Sequence, residues 1–140
     1  MNKKLLSSLK KSVRELLSMI ELLLGTIFLL SLVSILVPKE KYTSIFGGNH
    51  AVDSIIGSIL GSVSIGSPVV SYIIGGELLN RGISLIAVTS FLVAWVTVGL
   101  IQLPVEAAFL GRKFAIIRNL ISFLFSMIVA VTTVILLGLI

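Results

Sequence analysis

The sequence predicts an all-α integral membrane protein with about four hydrophobic segments. Of the 140 residues, 56% are hydrophobic and only 12% are charged, which is about half the charged fraction of a soluble domain. The apolar runs are also long enough to cross a bilayer as helices. We therefore expect a single membrane domain over residues 1–140, multi-pass in the cytoplasmic membrane. A basic amphipathic helix is expected at 1–16 and a transmembrane bundle at 17–140.

Charge and composition exclude several kinds of site. The net charge is +5. In a membrane protein this excess sets topology and contacts lipid headgroups, so we expect lipid and not nucleic acid as a partner. The chain contains no cysteine, which excludes disulfides and thiolate metal sites. No nucleophile–base pair, metal-ligand cluster or phosphate-binding loop stands out, so we expect neither an enzyme nor a bound metal or cofactor.

The N-terminal region predicts two elements. In Lys3–Leu16, apolar residues fall on one helical face and basic residues mainly on the other, which is typical of a helix lying on an anionic membrane surface. The simpler alternative is a basic flank that keeps the N-terminus in the cytoplasm. Leu17–Val37 follows, with 21 residues and Glu21 as its only charge, and is predicted to be a retained transmembrane helix.

The central apolar segment, Ser54–Leu79, is predicted to be broken in its middle. Ser67 suits a helix N-cap and Pro68 a first helical residue, and the residue before a proline avoids the helical region. The incoming helix should therefore end near Gly66, and a second half-helix should run over about Val69–Leu79. Broken helices at membrane depth are typical of transporter substrate sites. The alternative is a simple kink without a ligand.

Small and capping residues predict how the first half of this segment packs. Gly57 and Gly61, with Ser58 and Ser62, form a small-residue ladder that admits another helix at close range. Asp53-Ser54, just ahead of the ladder, is predicted to cap the helix.

The second half of the segment ends in a charged turn. Glu77 and Arg81 stand four residues apart with the acid first, the better orientation for an ion pair. Asn80-Arg81-Gly82 is then predicted to end the helix.

Two more apolar segments complete the predicted bundle. Ile83–Leu103 is a run of 21 uncharged residues, predicted to end at Gln102-Leu103-Pro104, and Trp95 near its middle needs a partner for its N–H. A charged loop is expected over Val105–Asn119. Leu120–Ile140 is the last predicted membrane helix.

The distribution of basic residues bears on topology. If the central segment spans once, six basic residues lie inside and five outside. If it forms a re-entrant hairpin, the count becomes eight inside and three outside. The positive-inside rule favours the hairpin, whereas the near-even count of the first topology would fit a subunit that inserts both ways.

Several short stretches resemble the ArsP-like permeases, predicted permeases that include organoarsenical exporters. The similarity covers roughly Ile55–Leu124. It rests on Ser64-Ile-Gly-Ser-Pro68, Gly76-Glu-Leu-Leu-Asn-Arg-Gly-Ile-Ser-Leu85, Ala87 and Ser90-Phe-Leu-Val-Ala94. The resemblance implies functional or structural roles for six positions: Gly66, Ser67, Pro68, Glu77, Arg81 and Gly82.

The chain also departs from that family. Family members that handle arsenicals often carry a cysteine just before the proline, and this chain has none, so trivalent arsenic chemistry does not carry over. Trp95 follows Ala94 where the family often has a proline. Full members are about twice as long and look internally duplicated, so this chain resembles one half.

These observations predict a half-size permease or secondary transporter subunit, acting as a homodimer on a small polar or anionic solute. The predicted substrate-binding residues are Ser64, Gly66, Ser67, Pro68 and Ser71, and the predicted structural or coupling residues are Glu77, Arg81 and Gly82. Two alternatives stay open: a non-transporting membrane interaction protein, and a passive channel with a re-entrant loop.

Overall fold

The computed structural model describes residues 3–36, 38, 41 and 44–138, which form helices and no strand. The predicted segment ends at Val37 and Ile140 lie outside these residues, as do residues 39, 40, 42 and 43. The chain divides into two compact units, Met1–Val37 and Pro38–Ile140. The helices are α1 Lys3–Leu36, α2 His50–Val63, α3 Pro68–Asn80, α4 Leu85–Thr97, α5 Leu103–Leu110 and α6 Arg112–Gly138.

The first unit contains one helix instead of the two predicted elements. α1 runs for 34 residues without interruption, so the predicted boundary between residues 16 and 17 lies inside a helix. The physical reason is that no proline occurs before Pro38, and a change from amphipathic to apolar sequence does not by itself stop a helix. Within α1, Leu6–Leu32 is long and apolar enough to cross a membrane.

The predicted third membrane helix, Ile83–Leu103, is wrong. α4 has only 13 residues and ends at Thr97, and the chain is non-helical over residues 98–102. Three consecutive β-branched residues and then Gly99 disfavour helix there. Pro104 stands in the first turn of α5, where a proline is tolerated because that N–H has no helical partner.

The predicted loop Val105–Asn119 is also wrong, because α5 and the first turns of α6 occupy it. Gly111 separates the two helices with a φ of 89°, a conformation that favours glycine. α6 therefore starts eight residues before the predicted Leu120, runs for 27 residues and is long and apolar enough to cross a membrane.

α2 begins earlier than predicted because a different residue caps it. Asn49 is the N-cap, and its side chain accepts a hydrogen bond from the backbone N–H of Ala51 at 3.1 Å. The predicted cap Asp53-Ser54 is wrong. Both residues lie inside the helix and are almost completely buried.

The packing of the glycines gives the directions of the helices in the second unit. A Cβ atom on Gly57 would lie 2.2 Å from the carbonyl oxygen of Ala87, and one on Gly61 would lie 2.3 Å from that of Phe91. The contact therefore moves from Ala87 to Phe91 along α4 as it moves from Gly57 to Gly61 along α2, so the two helices run parallel. The small-residue ladder thus admits a helix at close range, as predicted. Its partner is α4 of the same chain, so the ladder is not free to form a dimer interface.

The chain reverses direction between α2 and α3. Gly75 of α3 packs against Val88 and Leu92 of α4, and a short turn over 81–84 joins these two helices, so α3 runs antiparallel to α4. Because α4 is parallel to α2, the two helices on either side of residues 64–67 run in opposite directions.

α6 returns antiparallel to α2 and α4. Ser126 forms a 2.8 Å hydrogen bond with Ser58 of α2. Asn119, about two turns earlier in α6, bonds Gly99, just after α4. α5 leads from α4 to α6 and packs on α6. The core of the unit is small and centres on Ile83, Ala87 and Val88.

Candidate functional site

Two of the non-helical stretches of the second unit meet at one cavity. It has a volume of about 120 Å³ and lies where the α2–α3 connection approaches the α4–α5 connection. Its lining residues are Ser64, Ile65, Gly66, Trp95, Val96, Thr97, Val98, Gly99, Leu100, Ile101, Gln102 and Arg118. We call residues 64–67 the first break and residues 98–102 the second break.

Local hydrogen bonds build the first break. The Ser64 hydroxyl donates to the carbonyl of Leu60 at 2.6 Å, and Ser67, as N-cap of α3, accepts from the backbone N–H of Val69 at 3.2 Å. Pro68 is the first residue of α3. The chain therefore leaves one helix and enters the next within four residues, with side-chain hydroxyls bonded at both ends.

Gly66 is required where it stands. Its φ is +152°, and a Cβ atom there would lie 3.1 Å from the Trp95 ring. The Trp95 indole N–H in turn donates to the Gly66 carbonyl at 3.3 Å, and the Trp95 ring packs edge-on against Phe91 with centroids 5.3 Å apart. Trp95 thus holds the first break against α4, and the structure identifies the Gly66 carbonyl as the partner of its N–H.

The second break is held by Asn119 of α6. Its side-chain oxygen accepts from the backbone N–H of Gly99 at 2.9 Å, and its side-chain amide donates to Glu106 at 3.1 Å and to the Ala115 carbonyl at 3.0 Å. Asn119 is 4% exposed, and both its side-chain oxygen and its amide are hydrogen-bonded. It therefore satisfies the backbone N–H of Gly99, which has no helical partner.

Arg118 brings a positive charge to the cavity. Its guanidinium pairs with Glu106, and the two side chains are 39% and 17% exposed. A guanidinium carries five N–H donors, so one ion pair leaves several of them to face the cavity. Glu106, Arg118 and Asn119 were not predicted as site residues because all three fell in the predicted loop. The sequence feature that could have indicated them is their polarity just ahead of the long apolar run Leu120–Ile140.

The predicted substrate residues divide into two groups. Ser64 and Gly66 line the cavity, whereas Ser67, Pro68 and Ser71 do not. The Ser71 hydroxyl is buried and donates to the Pro68 carbonyl at 2.7 Å. The first N–H groups of α3 are also bonded locally, since Val69 bonds the Ser67 side chain and Val70 the Ser67 carbonyl. The start of α3 is therefore less available to a solute than the sequence suggests.

The predicted ion pair lies at the opposite end of α3. The Arg81 Nε donates to Glu77 Oε1 at 2.9 Å, with side chains 6% and 33% exposed, which confirms the pairing. Gly82 follows with a φ of 86°. Glu77 lies in the last turn of α3, and Arg81 and Gly82 begin the α3–α4 turn. All three are about 20 Å along α3 from the cavity, so they stabilise the turn and do not line the cavity.

Comparison with known proteins adds no relative: no protein-family model, no curated protein and no solved structure matches this chain. The resemblance to the ArsP-like permeases therefore stays a prediction. Within the described part of the chain, no group of three or more histidine, aspartate or glutamate residues is placed to hold a metal ion.

Proposed function

We propose that this chain is a subunit of a membrane permease or secondary transporter that carries a small polar or anionic solute through the cavity between the two breaks. The observation that carries the proposal is the meeting of two interrupted helical segments at a single polar cavity, joined by the Trp95–Gly66 hydrogen bond. Discontinuous helices whose interruptions face each other are typical of transporter binding sites.

The helix directions support a re-entrant topology for the second unit. α2, α3 and α4 have 13 or 14 residues each, or about 20 Å, and are too short to cross a core of about 30 Å alone. In the proposed arrangement, α2 enters the membrane and α3 leaves it on the same side. α4 and α5 then cross together as one interrupted span, and α6 crosses back.

The charges agree with this topology. Arg112 and Lys113 lie at the α5–α6 connection, whereas Arg81 lies at the α3–α4 turn on the other face. The positive-inside rule then assigns the α5–α6 connection to the cytoplasm. The proposed location is the cytoplasmic membrane, with several passes.

The depth of the cavity explains why its backbone needs partners. The cavity lies one length of α4, about 20 Å, from the α3–α4 turn. At that depth in a membrane, backbone N–H and C=O groups without hydrogen bonds are tolerated only where protein or a water-filled cavity surrounds them. Trp95 bonds the Gly66 carbonyl and Asn119 bonds the Gly99 N–H. In the proposed site, a polar solute in the cavity would bond further polar groups of the two breaks.

The chemistry of the lining favours an anion. Arg118 lines the cavity, and although Glu106 balances its charge, the guanidinium has further N–H donors that an anion would accept. α5 begins at the cavity wall, at Gln102, without a side-chain cap hydrogen bond, so its first N–H groups add the positive end of a helix dipole. A volume of about 120 Å³ limits the solute to a few heavy atoms.

The proposal includes a homodimer as the working unit. Its support is the resemblance of this chain to one half of a longer, duplicated permease. The Gly57/Gly61 face does not supply the interface, because α4 covers it.

The first test is a thermal-shift screen of the purified protein against phosphate, sulfate and small carboxylates, followed by counterflow of the best labelled anion in proteoliposomes. Arg118→Gln should abolish counterflow, whereas the matched control Arg112→Gln, at the exposed start of the same helix, should leave it intact. If no compound stabilises the protein and no flux occurs, the chain is a non-transporting interaction protein. Flux without counterflow would identify a passive channel.

A further inference from the structure

The positive charge at the cavity is already balanced by a carboxylate. Arg118 is the only charged side chain among the residues that line the cavity. Its guanidinium pairs with Glu106, which does not line the cavity. Arg118 therefore stands between the Glu106 carboxylate and any anion in the cavity, and the site as built has no net charge to offer that anion.

Arg118 is also the one charged group that faces Glu106 among the described residues. α6 is the helix that packs on α5, and its charged side chains are Arg112, Lys113 and Arg118. Arg112 and Lys113 are exposed at the start of α6. Neither α5 nor the second break carries another charged side chain. No second cation is thus placed to balance both Glu106 and a bound anion.

An anion that binds at Arg118 would place two negative charges beside one guanidinium. Like charges that share one partly buried site repel each other, and a proton on one of them removes the repulsion. The repulsion is stronger than in water because the Glu106 side chain is only 17% exposed and the effective dielectric constant falls with burial. Protonation of Glu106 would therefore leave Arg118 to the anion.

The two oxygens of the Glu106 carboxylate have different partners. Oε1 pairs with Arg118, and Oε2 accepts from the Asn119 amide at 3.1 Å. A proton on Oε1 ends the ion pair with the guanidinium, whereas Oε2 remains an acceptor. Asn119 then keeps its place and its 2.9 Å bond to the Gly99 N–H. The charge of the site can thus change while the second break stays held.

We propose that Glu106 takes up one proton from solution for each anion that binds at Arg118, so that the solute enters by proton–anion symport. The inference rests on the proposed function, because it assigns the coupling ion of the same site. On binding, a proton moves from water to Glu106 Oε1, the ion pair opens, and the anion takes the place of the carboxylate beside Arg118. On release, Glu106 returns the proton to water and pairs with Arg118 again.

The test uses sulfate as the probe, because sulfate keeps its charge over the pH range of the measurement. Binding to the purified chain is measured by thermal shift at about pH 5.5 and about pH 8, and proton uptake is followed with a pH indicator in weak buffer. Uptake of one proton should tighten sulfate binding by up to about tenfold for each unit that the pH falls. The indicator should record proton uptake when sulfate is added.

Two variants assign the proton to Glu106. Glu106→Gln leaves Arg118 without its ion pair, so it should bind sulfate with an affinity independent of pH and without proton uptake. In proteoliposomes it should lose the accumulation of sulfate that an inward proton gradient drives. Glu77→Gln is the matched control, since it removes the carboxylate of the other glutamate–arginine pair, about 20 Å from the cavity. It should keep the pH dependence of the wild type.

The proposal is wrong if the wild-type chain binds sulfate equally at both pH values or without proton uptake, or if Glu106→Gln keeps the pH dependence. It is also wrong if binding at constant pH requires Na⁺, because a metal cation then supplies the charge. These results would leave the anion site in place. If sulfate binds neither the wild type nor Glu106→Gln at either pH, the anion site and the proton coupling both fail.

Two further results separate the claims. Proton-linked sulfate binding without counterflow would refute only the transport proposal. Should Glu106→Gln fail to fold, infrared difference spectra of the wild-type chain decide the question. Sulfate should then raise the band of a protonated carboxyl group, and a spectrum without that band would overturn the proposal.

Discussion

Replacing Gly57 with alanine is the sharpest test of the parallel α2–α4 packing. The added Cβ atom would lie 2.2 Å from the Ala87 carbonyl oxygen and 3.0 Å from its carbonyl carbon. Because these are backbone atoms, no rotamer change relieves the contact. Normal van der Waals separation requires α2 and α4 to move apart by roughly 1 Å.

The expected cost follows from this displacement. Overpacking of a close interface costs about 1–3 kcal/mol, and a backbone clash belongs at the upper end. The separation also stretches the hydrogen bonds at both ends of the interface, Ser84–Asp53 at 2.9 Å and Trp95–Gly66 at 3.3 Å. Together these losses should lower the free energy of unfolding by about 3 kcal/mol.

The assay is thermal or denaturant unfolding of the purified protein in detergent, with Trp95 fluorescence as the reporter. Gly76→Ala is the matched control, because a Cβ atom there meets nothing within 4 Å, and alanine in a helix is favoured over glycine by up to about 1 kcal/mol. If Gly57→Ala unfolds like the wild type, α2 and α4 are not in contact as described.

Three other substitutions test the contacts around the two breaks and the α3–α4 turn. Trp95→Phe removes the N–H that donates to Gly66 while keeping an aromatic ring, and should cost about 1 kcal/mol in unfolding experiments; an unchanged stability would show that this bond is not formed. Asn119→Ala leaves the Gly99 N–H in the second break without its partner and should lower the free energy of unfolding by about 1–3 kcal/mol. Hydrogen exchange should show that the Gly99 amide has lost its protection. Reversing the charge of Glu77 or Arg81 alone should lower the melting temperature, and reversing both should restore part of it; no restoration would contradict the pairing.

Local sequence rules predicted the features that local chemistry decides. Ser67 and Pro68 have the residue types of an N-cap and a first helical position, and the structure begins α3 there. The i,i+4 spacing of Glu77 and Arg81 likewise predicted their pair. Each of these features depends on residues within one helical turn of each other.

The features that sequence rules missed depend on distant contacts. An apolar run such as Ile83–Leu103 contains no proline or charge to mark its interruption, and the second break is held by Asn119, 20 residues further on. Asp53 was predicted as an N-cap, but Asn49 caps α2. Asp53 instead lies opposite Ser84, 31 residues away, and no local pattern predicts that contact.

The partner of the small-residue ladder was open for the same reason. A Gly57/Gly61 pattern predicts close helix contact but not which helix makes it. The tertiary fold assigns it to α4, which removes one argument for a dimer interface and leaves the dimer supported by the resemblance alone.

The central claim is that the two breaks form one solute site, and thiol labelling in this cysteine-free chain tests it most directly. Ser64→Cys places a single thiol in the cavity lining, and Leu136→Cys places one on the exposed face of α6. We predict that modification of Ser64→Cys by a membrane-impermeant thiol reagent stops its counterflow of the screened anion. The anion should slow this thiol modification. Leu136→Cys should keep its counterflow after the same treatment. If Ser64→Cys is modified without loss of counterflow, or if the anion does not slow its modification, the cavity is not the solute site.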